Sequence, residues 1–196
     1  MRIAIVVFDG FDEVDAIGPY EVFRNAGLAT DLVTLEPQER VHASHGLVIV
    51  PHSVLGEGYD LVVVPGGGWN DRGQQGTWAE VQRGDLPVAL RSLHERGTRI
   101  ASVCTGGMVL AAAGLTNGRP AVTHHHAIDD LRASGAEVID ARVVDDGDIV
   151  TSGGVTSGID MALWIVEREL GPEAAASVAD EMEHDRRGEV YRPTPT

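Results

Sequence analysis

The stretch Arg99-Ile-Ala-Ser-Val-Cys104-Thr-Gly-Gly-Met-Val-Leu-Ala-Ala-Ala-Gly114 decides the architecture. Ile100 to Val103 is a short apolar run, long enough for a buried strand. Met108 to Ala113 is rich in helix formers, and Gly114 is placed to end that helix as a C′ residue. Cys104 therefore occupies a tight strand-to-helix turn. Gly106 and Gly107 follow it and, lacking a Cβ, let a substrate approach the backbone. This is the layout of a nucleophile elbow with sulfur in place of the serine hydroxyl. The N–H groups and positive dipole end of the helix start are expected to favour a thiolate. The competing reading is an inert buried thiol, because free cysteine packs as a small hydrophobe. A lone cysteine that ends an apolar run and precedes two glycines favours the nucleophile.

Outward from this stretch, strands alternate with helices. Arg2 to Phe8, Thr30 to Leu35 and Asp60 to Val64 read as strands, the first and third as continuous apolar runs of the kind buried in a parallel sheet. Leu86 to Arg96 is a helix, with Leu86, Leu90 and Leu93 at helical spacing. A helix is expected from about Pro19 to Asn25, and Val41–Ala43 with Leu47–Val50 read as a small hairpin. Arg142–Val144 and Ile149–Thr151 form a second hairpin around Asp145-Asp-Gly-Asp148. Ile159–Glu169 and Glu173–His184 are the last two helices. Residues 185–196 read as a polar, mobile tail beyond a single domain spanning 1–184. The alternation predicts an α/β fold with βαβ units and a mostly parallel central sheet. Ligands of such sheets bind beyond the carboxyl ends of the strands. Asp15, Gly66-Gly67, Cys104 and Gly153-Gly154 all fall just past such ends, so distant segments converge on one edge.

Composition bounds the chemistry. The 196 residues carry a formal charge of −15, which disfavours nucleic acid and anionic membranes as partners. All 15 basic residues are arginine. Without lysine there is no Schiff-base or pyridoxal-phosphate chemistry and no P-loop. One cysteine permits no intrachain disulfide, which fits a cytoplasmic location. No apolar run is long enough to span a membrane. No cofactor is expected.

Several other side chains are candidates. Asp15 lies between Val14, Ala16 and Ile17, and a carboxyl in apolar company tends to hold its proton. A capping or surface carboxylate is the alternative. Pro65-Gly-Gly-Gly68 follows a central strand and frees N–H groups for an anion or oxyanion, with Gly67 as a candidate donor. Trp69 is read either as a pocket wall or as packing. His124, His125 and His126 are expected on one strand, where neighbours face opposite sides and cannot converge on a metal; no metal site is expected. His42, His45 and His52 read as surface or edge residues.

Four ordered motifs then resemble the ThiJ/PfpI superfamily: Val63-Val-Pro-Gly-Gly67, Ser102-Val-Cys-Thr-Gly106, Thr123-His124, and Thr151-Ser-Gly-Gly-Val-Thr-Ser-Gly-Ile-Asp160. The resemblance covers roughly residues 1–184. It implies a flavodoxin-like three-layer sandwich with Cys104 as nucleophile. Where other branches place a glutamate near the cysteine, this chain has Asp15, which is similar to the isocyanide hydratase branch. That branch implies hydration of a small isonitrile, with Asp15 as proton donor and Thr105 positioning water or substrate. Gly67, Thr105, Gly154, Val155 and Trp69 would line the oxyanion and substrate subsites, and His124 would be catalytic or sit at the rim. The residue after His124 is often tryptophan in that branch and is His125 here. A homodimer is implied by the resemblance alone. A glyoxalase-, deglycase- or amidase-like cysteine enzyme, and a redox or ligand sensor, remain as other readings.

Overall fold

The computed structural model describes residues 1–193. In chain order it contains β1 (Arg2–Val6), α1 (Glu13–Asn25), β2 (Ala29–Thr34), β3 (Val41–His42), β4 (Val48–Ile49), β5 (Ser53–Val54), β6 (Leu61–Val64), α2 (Gly76–Arg83) and α3 (Asp85–Glu95). Then come β7 (Arg99–Ser102), α4 (Gly106–Ala112), β8 (Pro120–Ala121), a 3₁₀ turn (His125–Ala127), α5 (Ile128–Ala133), β9 (Glu137–Val138), β10 (Val143–Asp145), β11 (Ile149–Ser152), α6 (Ser157–Leu170), α7 (Pro172–Glu181) and β12 (Val190–Tyr191).

Eight strands form one sheet in the order β12-β10-β11-β7-β6-β1-β2-β5. Every pairing is parallel except β10 with β11, the expected hairpin. The four central strands are buried on both faces: Ile3 to Val6, Leu61 to Val64, Ile100 to Ser102 and Ile149 to Ser152 are all inaccessible or nearly so. That is why they read as unbroken apolar runs rather than alternating ones. Helices α1 and α6 pack together on the sheet, and Gly18 and Gly158 permit the approach. A Cβ on Gly158 would come within 2.9 Å of Val103, and one on Gly18 within 3.0 Å of Ile159. This contact carries α1, and Asp15 with it, up to the cysteine turn.

Four features differ from the sequence reading. Helix α1 begins at Glu13, six residues before Pro19, with Asp12 as N-cap accepting the Val14 N–H at 3.1 Å. Pro19 is inside the helix, where it has no N–H to offer the Asp15 carbonyl four residues back. Helix α2 is not among the expected elements; Trp78 and Val81, three positions apart, face one core cluster. His124–His126 lie at the start of a 3₁₀ turn rather than on a strand. Finally, the segment expected to be a mobile tail contributes β12, which pairs in parallel with β10, and Arg192 stacks over Trp164.

Candidate active site

The site is assembled from four loops at the carboxyl ends of β1, β6, β7 and β11. Cys104 adopts a positive φ of 55°, a conformation that costs a non-glycine residue about 1 kcal/mol. Hydrogen bonds hold it there. The Cys104 N–H donates to the Gly153 carbonyl at 2.8 Å, and the Cys104 carbonyl accepts from the Thr123 hydroxyl at 2.8 Å. The turn is therefore braced by β11 and by the segment after β8.

Asp15, in the first turn of α1, is wholly buried. Its Oδ2 accepts the Gly66 N–H at 2.8 Å, while Oδ1 has no hydrogen-bonding partner. Burial, with the nearby Asp12 charge, pushes its pKa from 3.8 up to about 8, against the opposing pull of the Gly66 N–H and of Cys104. The carboxyl is thus protonated at neutral pH, as its apolar neighbours in sequence indicated.

The thiol departs from expectation. Cys104 is only 6% exposed, and burial raises its pKa to about 12, with the Asp15 charge adding to the shift. The N–H groups of Thr105 and Val155 point at the sulfur and offset part of this. Desolvation outweighs the helix-start dipole here because α4 is short and its first donors are already engaged. Gly106 N–H goes to the Val103 carbonyl and Gly107 N–H to that of Cys104.

The glycine run is used differently from the reading above. Gly66 N–H binds Asp15, and Gly67 N–H donates to Thr105 Oγ1 at 2.9 Å, so neither is a free donor for an oxyanion. A Cβ on Gly66 would fall 2.6 Å from the Thr105 nitrogen and 2.8 Å from Asp15 Oδ2, which explains why no larger residue fits. Thr77, at the start of α2, donates to the Gly67 carbonyl at 2.8 Å and lies 3.2 Å from Thr105 Oγ1. The one Thr77 proton is spent on the Gly67 carbonyl, so Gly67 N–H is the donor that the Thr105 oxygen accepts, and the Thr105 hydroxyl keeps its own proton to give. Sequence reasoning missed Thr77, since nothing marks α2 as adjacent to the cysteine turn.

Three other candidates are placed as follows. Gly154 abuts the His124 ring, where a Cβ would lie 3.0 Å from Cδ2. His124 is half-buried and its Nδ1 accepts the His126 N–H at 3.3 Å; among the described residues no hydrogen bond links it to Cys104. Burial, with the neighbouring His125 and His126, lowers its pKa. Trp69 is packing rather than pocket wall: its ring is buried with Met108 and Leu131, edge-on to Trp78, and its N–H is committed to Asp130 at 2.7 Å.

Glu13 also has a role that its sequence context did not show. It accepts from the His45 backbone N–H and faces the His45 ring, both at 2.7 Å, fastening the β3–β4 hairpin to the start of α1. Burial alone would raise its pKa, but the bonds to His45 and Leu47 bring it down to about 2.

Against known proteins, residues 1–168 match the family model described as the DJ-1/PfpI family. The chain belongs to the DJ-1/PfpI family. Over 186 residues it is 32% identical to an isonitrile hydratase of Pseudomonas putida, covering 94% of this chain and 78% of that protein. It is equally similar, 32% over 185 residues, to the Parkinson disease protein 7 homolog of Danio rerio, covering 90% of this chain and 94% of that one. Among solved structures, a ThiJ/PfpI family protein from Pseudomonas syringae superposes with a TM-score of 0.85 at 29% identity, covering 99% of this chain and 76% of that one. Oxidised DJ-1 of Toxoplasma gondii superposes with a TM-score of 0.81 at 26% identity, covering 93% and 98%. The flavodoxin-like α/β fold is shared with these neighbours. Among the described residues, no helix is long and apolar enough to cross a membrane.

Proposed function

We propose that this protein is a cysteine-dependent hydratase converting a small isonitrile to an N-substituted formamide. The observation that carries the reading is Asp15. It is a buried, protonated carboxyl with one oxygen tied to Gly66 and the other unpartnered, close enough to Cys104 that each shifts the other's titration. The similarity to an isonitrile hydratase points the same way.

The pair works as a unit. Loss of one proton leaves mainly a thiol beside the Asp15 carboxylate, and passage of the thiol proton to that carboxylate gives the reactive form, a thiolate beside a neutral carboxyl. The sulfur attacks the terminal carbon of R–N≡C, forming the S–C bond and leaving the electron pair on that carbon. Asp15 delivers its proton to the same carbon, giving the thioimidate R–N=CH–S–Cys104. The Asp15 carboxylate then takes a proton from water as the hydroxyl adds to the carbon, and passes that proton to the nitrogen. Collapse expels the thiolate and forms the formyl C=O, and the hydroxyl proton returns to Asp15. The sum is R–N≡C plus water to R–NH–CHO, with the pair regenerated. The N–H groups of Thr105 and Val155 stabilise charge at the sulfur and the reacting carbon, and the Thr105 hydroxyl orients the water. Gly154 shapes the wall, and the near-closed surface over Cys104 restricts substrates to small ones.

The same pair suits a second reading, a glyoxalase- or deglycase-like enzyme or a redox sensor, and the chain is equally similar to the Parkinson disease protein 7 homolog, a relative not named as a hydratase. Turnover of aryl isonitriles and of 2-oxoaldehydes by wild type and Cys104→Ala tests the assignment. Formamide production lost in the variant supports the hydratase. Turnover of 2-oxoaldehydes alone, or a Cys104 oxidation product with no turnover of either class, replaces it. A homodimer accompanies this proposal. Val14, Leu47, Val48 and Val50 are exposed aliphatic side chains on α1 and the β3–β4 hairpin, a surface suited to a second copy.

A further inference from the structure

The three consecutive histidines are not a strand. The backbone turns as a 3₁₀ helix at His125–Ala127, with His124 as its N-cap. A strand would send alternate side chains to opposite faces, whereas this turn gathers all three rings. Ring centroids are 4.2 Å apart for His124 and His125, 3.9 Å for His125 and His126, and 5.0 Å for His124 and His126. One ring nitrogen from each imidazole lies within 4.8 Å of the other two. Three nitrogens around a tetrahedral metal at bond lengths of 2.0–2.1 Å sit about 3.3 Å from one another. Small side-chain rotations close the remaining gap, and His125 and His126 are exposed and free to make them.

The ring of His124 is already oriented. Its Nδ1 accepts the His126 N–H at 3.3 Å and its edge rests on Gly154. With Nδ1 turned toward a backbone N–H, the neutral ring carries its proton on Nε2, so Nδ1 is the nitrogen with the lone pair and a metal would take the place of this long 3.3 Å contact while Nε2–H stays free to donate. Among the described residues, none of the three forms an ion pair with a carboxylate, unlike His45, His94 and His184.

We infer that His124, His125 and His126 form a binding site for a borderline-soft divalent cation, Zn²⁺ or a neighbouring transition metal, with the fourth position open to water. Three imidazoles and no carboxylate select Zn²⁺, Cu²⁺, Ni²⁺ or Co²⁺ over Mg²⁺ and Ca²⁺. The cluster borders the turn at residues 153–155 that also contacts Cys104, but among the described residues no hydrogen bond links it to the sulfur, and it does not depend on the chemistry assigned to Cys104. A second group of ligating side chains, Asp12, Glu13 and His45, also lies within reach of one cation. It is the weaker candidate, because Glu13 already spends its oxygens on the His45 ring and on backbone N–H groups.

The test is zinc titration calorimetry on the whole chain, produced without a histidine tag and stripped with chelator. Co²⁺ absorption reports the coordination geometry. One Zn²⁺ per chain with a Kd of about 10 μM or tighter is expected, with Co²⁺ giving the intense visible bands of a four-coordinate site. His125→Ala and His126→Ala, both surface substitutions, are each expected to weaken binding by about 10-fold or more. His45→Ala and Cys104→Ala are expected to leave it unchanged. Absence of saturable binding below about 100 μM overturns the site, as does binding that survives both surface substitutions. Binding abolished by His45→Ala or Cys104→Ala instead assigns the metal elsewhere and also overturns it.

Discussion

Gly66 donates its N–H to Asp15 Oδ2 at 2.8 Å, and that bond ties the buried carboxyl to the glycine turn after β6. The tied oxygen fixes the side chain, and Oδ1 is left buried without a hydrogen-bond partner. The bond exists because β1 and β6 are paired in register, Ile3 with Leu61 through Ile5 with Val63, so the loops beyond them meet.

Asp15→Asn keeps an acceptor for Gly66 but removes the transferable proton. Isonitrile turnover is expected to fall by about 10²–10⁴-fold, the range for a positioned acid–base group. The thiol is expected to titrate at lower pH than in wild type, since the carboxylate charge that raises it is gone. The pH dependence of Cys104 alkylation measures this.

The same substitution has a stability signature. Asp15 is raised from 3.8 to about 8 in the fold, so its contribution is fully present below pH 4 and is lost as pH rises toward 8. In that interval the unfolded chain releases the proton and the folded chain keeps it. Asp15→Asn should therefore unfold like wild type near pH 4 and become the more stable protein by pH 8, by on the order of a few kcal/mol. Urea denaturation at the two pH values reads the crossover.

The sequence shows the frame of this site but not all its parts. Cys104, the glycine run and the Gly153-Gly154 turn are visible because each follows an apolar run, and a parallel sheet buried on both faces leaves that signature. The start of α1 is hidden by Pro19, which looks like a first-turn residue but lies in the helix interior, at the cost of one backbone hydrogen bond. Thr77 is hidden because its neighbours, Gly73 to Gly76, carry no helical period. The thiol's raised pKa depends on burial, which a motif does not report. The histidine run folds as a 3₁₀ turn rather than the expected strand, because three like residues carry no period that separates the two. Strand β12 is two residues long, and its partner β10 lies more than forty positions earlier.

Gly66→Ala is expected to disable the site. Its methyl would press on the Thr105 nitrogen at 2.6 Å and on Asp15 Oδ2 at 2.8 Å, both of which it would have to displace. Overpacking of this kind costs about 1–3 kcal/mol. Melting curves should show that loss together with a fall in turnover larger than the stability change explains. Wild-type activity in this variant would contradict the geometry.

Turnover should rise with pH through about 8, where Asp15 gives up its proton and its carboxylate can take the thiol proton to expose the nucleophile. A profile of kcat/KM from pH 5 to 10 checks this. In Asp15→Asn the residual rate should follow the thiol instead.

Removing residues 189–196 deletes β12 and uncovers the β10 edge, together with the face of Trp164 that Arg192 covers. A modest loss of about 1–2 kcal/mol is expected from a two-residue edge strand and one cation–π contact. Thermal melts of the truncated chain measure it. Active-site titration should remain unchanged.

The most direct test of the Cys104–Asp15 pair is intact-protein mass spectrometry after rapid mixing with an aryl isonitrile and acid quench. The account predicts a covalent species on Cys104 heavier by the whole mass of the isonitrile, present during turnover and absent in Cys104→Ala, which should make no formamide. Formamide formed at equal rates by wild type and Cys104→Ala, with the thiol never modified, would contradict it.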